Sequence, residues 1–202
     1  MIASLAQFGH NPGVPHWDAA KWVLRYLKGT KSWKLVLGGE DCSVAAYTDA
    51  DWGSDQDDHH SIGAYLFKMG SSAVSWKSKK QSCIALSSTE TKYMALCQGA
   101  KEAVWLTDFL ADLSISIHHS LPIHHSLPIH SDNQSCIALA KNPVFHNRLK
   151  HISIQYHFTR NLVRNGRIHL EYMPTKEMVA DILTKSLPRV QHVSLLTSAG
   201  LF

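Results

Sequence analysis

No stretch of this chain stays apolar for the roughly 18 to 20 residues that a membrane-spanning helix needs, so an integral membrane protein is not expected. The first residues, MIASLAQFGHNPG, have neither a basic leader nor an apolar core of signal-peptide type. The only cysteines are Cys42, Cys83, Cys97 and Cys136, and no two form a CxxC pair. A disulfide framework and a structural zinc site are therefore both unexpected. These absences point to reduced thiols and an intracellular protein, cytoplasmic or nuclear. No YxDD motif of a polymerase occurs, and forty N-terminal residues are too few for a palm domain.

What is present is a chain of 202 residues, 45% of them hydrophobic, which is enough for the core of one ordinary domain and a short appendage. The net charge of +4 is compatible with a nucleic-acid partner but does not require one.

Apolar spacing predicts a helix over HWDAAKWVLRYLKG stopped at Gly29, then a short strand, WKLVLGG. SVAAYTDADW, residues 43–52, reads as a buried strand. AYLFKMGSSAVSWKS, residues 64–78, reads as a hairpin turning at MGSS. Residues 87–113 form the longest helix, with Tyr93, Leu96, Ala100, Ala103, Thr107 and Leu110 on one face. LPIHSD is a strand, NQSCIALAKN and ISIQYHFTRNLVRNG are helices, RIHLEYM is a strand, and KEMVADILTKSL is a terminal helix ended by Pro188. A meander followed by β-α-β units implies an α/β fold, a mixed sheet with helices on both faces.

Four acidic residues stand at the ends of these elements: Asp49, Glu90, Asp132 and Asp181. Each has a plain alternative. Asp49 and Asp51 in YTDADW suit a strand ending in a polar turn. Ser87 and Glu90 have the spacing of a capping box. Asp132 precedes a helix and suits an N-cap. Asp181 reads equally as an exposed helix carboxylate. Together they have a second reading, because parallel neighbours bring their carboxyl ends to one sheet edge. Carboxylates gathered there without a His/Cys set suit a hard cation, Mg²⁺ or Mn²⁺.

The stretches YTDADWGSD, SWKSKKQ, ALSSTETKYMAL, AKEAVWL, SDNQSCIALAKNPVFHNRLKHISIQYHF and EYMPTKEMVADILTKSLP resemble the ribonuclease H domain of copia-type LTR retrotransposon Pol polyproteins. The resemblance runs from about residue 43 to the C-terminus. It implies a ribonuclease H-like mixed five-stranded sheet, ordered 3-2-1-4-5. It divides the chain into a remnant of the reverse transcriptase connection segment (1–40), the ribonuclease H-like domain (43–190) and a C-terminal tail (191–202). It implies that Asp49, Glu90, Asp132 and Asp181 hold two Mg²⁺ ions, with Mn²⁺ as a substitute, and that the RNA strand of an RNA–DNA hybrid is hydrolysed. The reverse transcriptase portion of the same polyprotein is the implied protein partner.

Asn133 and Gln134 follow Asp132 and are candidates for sugar and base contacts. Trp76, Lys77, Lys79 and Lys80 offer phosphate contacts beside an aromatic face, or equally a solvated basic turn. Arg148 and Lys150 are weaker candidates. Where the family usually reads TEAEY, this chain reads TETKY. A helical step of two is about 200°, which predicts that Lys92 points away from the acidic residues.

HHSLPI at 118–123 is repeated without change at 124–129. His118, His119, His124, His125 and His130 suggest a metal tract, but no fixed partner orients them. A tandem duplication that loops out the first copy, leaving residues from about Ser116 to Ser126 exposed, fits better, because lengthening a surface loop costs little. Ile129 is then expected to face the core and His130 the other side.

Overall fold

The computed structural model describes residues 2–38, 41–55, 57–114, 126–142 and 153–202. The first copy of the hexapeptide, His124, His125, Arg148 and Lys150 lie outside the described residues, and so do the expectations attached to them. The chain divides into two compact units, Met1–Leu35 with Phe202, and Val36–Leu201.

The smaller unit holds helices α1 (Ile2–Gln7) and α2 (Val14–Thr30). Pro15 enters the first turn of α2, where a missing N–H costs nothing, and the Gly13 N–H donates to His16 Nδ1 at 2.9 Å. The helix runs one residue past Gly29. None of its residues is buried, and the Arg25 guanidinium lies 4.7 Å above the Trp22 ring.

The larger unit is built on five strands: β1 (Val44–Ala50), β2 (Ile62–Met69), β3 (Ser72–Lys80), β4 (Leu127–Ser131) and β5 (Ile168–Tyr172). Their order is β3-β2-β1-β4-β5, as expected. β1 pairs antiparallel with β2 and parallel with β4, which in turn pairs parallel with β5. WKLVLGG adds no strand to this sheet; Val36 and Leu37 are more than half exposed. The β2–β3 hairpin turns at Gly70, whose φ of +57° suits glycine, and a Cβ there would stand 2.4 Å from the Asp41 carbonyl.

Pro128 lies inside β4 without breaking it. The Leu127 N–H goes to Arg167 O on the β5 side, so the donorless nitrogen of Pro128 faces β1, where pairing starts only at Ala46↔Ile129. Ile129 is fully buried, while the His130 ring stacks on Tyr47 with centroids 5.0 Å apart. Ser126, expected in an exposed loop, is half-buried, with its hydroxyl 3.1 Å from His169 Nδ1.

Helix α3 (Ser88–Asp112) packs on β1, β2 and β4. Its predicted face is the buried one at Tyr93, Leu96, Ala100, Ala103 and Leu110. Gly99 lets this helix approach closely: a Cβ there would lie 2.6 Å from Thr48 Cγ2. Helices α4 (Gln134–Lys141) and α5 (Ser153–Arg164) cover the β4–β5 end. The predicted KEMVADILTKSL helix is only a 3-10 turn at Thr175–Glu177 and the single turn α6 (Asp181–Thr184). Met178, Val179 and Ala180 are buried between them, so the chain there follows the core rather than one helical stripe. α7 (Arg189–Ser198) follows and buries Leu195 and Leu196. Residues 191–202, expected as a tail, thus carry most of a packed helix.

Thr48 faces α3, and its neighbour Asp49 accepts a hydrogen bond from Thr184 of α6. Alternation along β1 therefore puts α3 and α6 on opposite faces of the sheet.

Candidate active site

Asp49 is the last but one residue of β1, and Asp132 follows directly on the end of β4. Because these strands are parallel neighbours, both carboxylates stand at one edge of the sheet. Asp181 opens α6, and Glu90 sits in the first turn of α3. Asp49, Glu90 and Asp181 are at most 2% exposed.

Two lysines connect the aspartates. Lys92 Nζ is 3.1 Å from Asp49 Oδ1 and also donates to Asp132 Oδ1. Lys185 Nζ is 3.1 Å from Asp49 Oδ2 and donates to Asp181 Oδ1 at 2.8 Å. The Thr184 hydroxyl donates to Asp49 Oδ2, and the Thr175 hydroxyl to Asp132 Oδ2 at 3.0 Å. The result is an alternating row of carboxylates and ammonium groups in the order Asp132, Lys92, Asp49, Lys185, Asp181.

The expected direction of Lys92 is thus corrected: it points into the acidic cluster. The 200° step separates Lys92 from Glu90 but not from the strands: Lys92 stands two turns before Gly99, which faces Thr48 of β1, and its stem carries the ammonium to Asp49 and Asp132.

Burial pushes the Asp49 carboxyl up, yet Lys92, the Thr184 hydroxyl and Lys185 outweigh it and hold the group below its ordinary range. Burial also pushes Asp181 up, to about 6; the hydrogen bond from Lys185 opposes this and the neighbouring Asp49 charge adds to it. For Lys185, burial alone would lower the value, but Asp181 and Asp49 hold it raised.

Glu90 behaves as part of a cap. Its backbone N–H donates to Ser87 Oγ at 3.2 Å, and its carboxylate accepts the Leu86 N–H at 2.8 Å, one residue earlier than a capping box requires. Asp132 is not the cap of α4. That role belongs to Asn133, whose Oδ1 accepts the Cys136 N–H at 2.8 Å. Asp51 lies beyond β1 and holds a turn, accepting the Ile62 N–H at 2.5 Å and the Ser54 hydroxyl.

Of the proposed substrate contacts, Gln134 is exposed at the start of α4. Trp76, Lys77, Lys79 and Lys80 lie on the edge strand β3 itself rather than in a turn. They do not form one cluster. Ser75 bonds Glu102 of α3 and Ser78 bonds Leu183 of α6, so alternation places Lys77 and Lys79 on the α3 face and Trp76 on the other. Lys77 and Lys79 border a shallow cavity of about 140 Å³ with Tyr65, Met94 and Gln98. Lys80 is held by Asp55 at 2.5 Å and Asp58 at 2.7 Å.

Three site residues were not assigned from sequence. Lys185 was legible, because it stands four residues after Asp181, the spacing of a helical ion pair. Thr184 and Thr175 carry no such signal.

For a hard cation, the donor chemistry fits: three aspartates converge, and Asp49 Oδ1 is buried without a hydrogen bond. Among the described residues, however, no group of three or more His, Cys, Asp or Glu side chains is arranged to hold a metal ion. The ammonium groups occupy the spaces between the carboxylates.

The sheet order and the placement of α3 define a ribonuclease H-like fold. The solved structure of LC11-RNase H1, isolated from compost, superposes with a TM-score of 0.51 over 71% of this chain and 93% of that one, at 12% identity. No family model matches the chain. It is 40% identical over 188 residues to the retrovirus-related Pol polyprotein from transposon TNT 1-94 of Nicotiana tabacum, covering 93% of this chain. Against the transposon RE2 polyprotein of Arabidopsis thaliana it is 41% identical over 190 residues, 94% of this chain. A stretch of 107 residues, 52% of this chain, is 46% identical to secreted RxLR effector protein 161 of Plasmopara viticola and covers 75% of that protein. The chain belongs to the copia-type retrotransposon Pol polyproteins, as their ribonuclease H domain. It spans 14% and 13% of the length of the two polyproteins. Among the described residues no helix is long and apolar enough to cross a membrane.

Proposed function

We propose that this chain hydrolyses the RNA strand of RNA–DNA hybrids endonucleolytically, during reverse transcription of a retrotransposon. The observation that carries this reading is the convergence of Asp49, Asp132 and Asp181 at the carboxyl edge of β1 and β4, in a ribonuclease H-like sheet of a Pol polyprotein relative. In this reading Asp49, Glu90, Asp132 and Asp181 hold two Mg²⁺ ions. The metal supplies activation of water and stabilisation of the leaving 3′ oxygen.

The chain's own residues supply the rest. Lys92 and Lys185 keep Asp49 ionised near neutral pH against its burial. Thr184 and Thr175 orient Asp49 and Asp132, so that each turns its other oxygen toward Lys92 Nζ. Lys77 and Lys79, exposed on the edge strand, are placed to meet phosphates, and Gln134 to meet a sugar or base edge. Asn133 has its oxygen engaged as a cap, which leaves its amide hydrogens to donate. The 2′-hydroxyl is the feature by which such a site separates RNA from DNA.

A second reading, an inactive transposon-derived relic with weak nucleic-acid binding, is favoured by the two ammonium groups seated among the carboxylates. A labelled RNA–DNA hybrid incubated with the purified chain separates the two. Mg²⁺-dependent cleavage that is lost in Asp49→Asn and Asp132→Asn supports the enzyme. No cleavage at any Mg²⁺ or Mn²⁺ concentration supports the relic.

A further inference from the structure

We infer that Lys92 is a resident counter-ion of this site, so that a divalent cation enters between Asp49 and Asp132 only by displacing its ammonium group. The inference rests on the proposed metal-binding reading and specifies how this chain departs from an open acidic site.

The geometry leaves little alternative place for a cation. Asp49 Oδ2 is engaged by Thr184 and Lys185, and Asp132 Oδ2 by Thr175. The remaining oxygens, Asp49 Oδ1 and Asp132 Oδ1, both face Lys92 Nζ. The Lys92 side chain is only 15% exposed, so its charge is screened weakly by solvent. Lys185 differs: it bridges the other oxygen of Asp49 to Asp181, its own helix neighbour, and leaves the Asp49–Asp132 gap untouched.

With three aspartates and two lysines, the row is close to neutral before any metal arrives. Opposed charges at these separations favour the closed arrangement, and a cation finds only the fraction of molecules in which Lys92 has swung out. Apparent affinity falls by that fraction. An occupied-state preference of tenfold is modest for a partly buried ammonium with two carboxylate partners. The expected effect of removing the charge is therefore a gain in divalent affinity of about tenfold or more.

Mn²⁺ is the probe, titrated calorimetrically into the chelator-treated full chain. Lys92→Met keeps the stem and deletes the charge. It should bind Mn²⁺ at least about tenfold tighter than the wild type, and Asp49→Asn added to it should remove that binding. Equal affinities of wild type and Lys92→Met, both weakened by Asp49→Asn, overturn the role of Lys92 and leave the metal-binding reading standing. Absence of Mn²⁺ binding in both overturns the two together. Because Lys92→Met leaves two buried aspartates short of a partner and risks not folding, a second measurement uses the wild type alone. Acylation of Lys92 by an amine reagent, read by mass spectrometry, should rise on adding Mn²⁺ while that of Lys21 stays constant. Unchanged Lys92 acylation in Mn²⁺-bound protein overturns the inference.

Discussion

The distance between α3 and β1 sets how far Lys92 stands from Asp49, and Gly99 sets that distance. Gly99 lies seven residues, or about two turns, after Lys92, so both act on the same side of the helix. Replacing Gly99 by alanine adds a methyl whose carbon would stand 2.6 Å from Thr48 Cγ2, about 1 Å inside a comfortable carbon–carbon contact. Thr48 cannot simply rotate away. It is 2% exposed, and its hydroxyl donates to His130 O at 3.3 Å. Overpacking of this kind costs about 1 to 3 kcal/mol, against a gain of about 1 kcal/mol from alanine over glycine in a helix. Gly99→Ala should therefore destabilise by about 1 kcal/mol net.

Thr48→Ser removes the methyl and keeps the hydroxyl, for a loss of about 1 kcal/mol of buried contact. In the double variant the alanine methyl occupies the vacated space, so stability should return to about the wild-type value. The coupling is then about 2 kcal/mol, well beyond the roughly 0.5 kcal/mol within which independent sites add. Urea melts of the four proteins measure it, provided the m-value is unchanged. Additive losses would refute the claim that this contact spaces the helix from the strand.

Three further outcomes are expected. Asp181, raised to about 6 from 3.8, binds its proton more tightly folded than unfolded, so its charging weakens the fold as pH rises from about 4 to 6; Asp181→Asn should gain on the wild type across that interval by up to about 3 kcal/mol in chelator-treated urea melts, and an unchanged difference would remove the burial argument. Asp49, held low, acts in the opposite sense, its contribution being lost only as pH falls below the ordinary carboxylate range. For hybrid binding by the catalytically silent Asp49→Asn protein, Lys77→Ala with Lys79→Ala should flatten the salt dependence by about two units of slope, whereas Lys80→Ala, whose charge Asp55 and Asp58 already hold, should not. Tyr65, pushed up to about 12 by burial and then by Glu102, should ionise at lower pH in Glu102→Gln, read by difference absorbance; no movement would deny that the 3.0 Å contact with Glu102 matters.

Legibility in the sequence followed the range of the interaction that decides each feature. The long face of α3, the MGSS turn and the β4 and β5 strands are set by local periodicity and turn chemistry, and each was read from its own segment. The family resemblance gave the sheet order, while the common edge for Asp49 and Asp132 was read from the expected parallel pairing of their strands. KEMVADILTKSL misled because its apolar spacing suits a helix, while the buried Met178, Val179 and Ala180 belong to a bend that the core dictates. WKLVLGG has strand composition, but its backbone pairs only briefly, Lys34 with Phe202 and Val36 with Gly200, and composition does not reveal how far a pairing will run. Asp132 and Asn133 exchanged roles because both residue types cap helices equally well, and only the backbone decides which one stands at the boundary. Lys92 is the most instructive failure. The 200° step does separate Lys92 from Glu90, but Asp49 and Asp132 stand on the strand side of α3, which Lys92 shares with Gly99. The ammonium, however, goes where the field is most negative within reach of its stem, and that field is produced by strands more than forty residues away on one side and about as far on the other in sequence. A charged head group at the end of a flexible side chain is thus placed by tertiary electrostatics, and a motif that locates four acids says little about which cation meets them first.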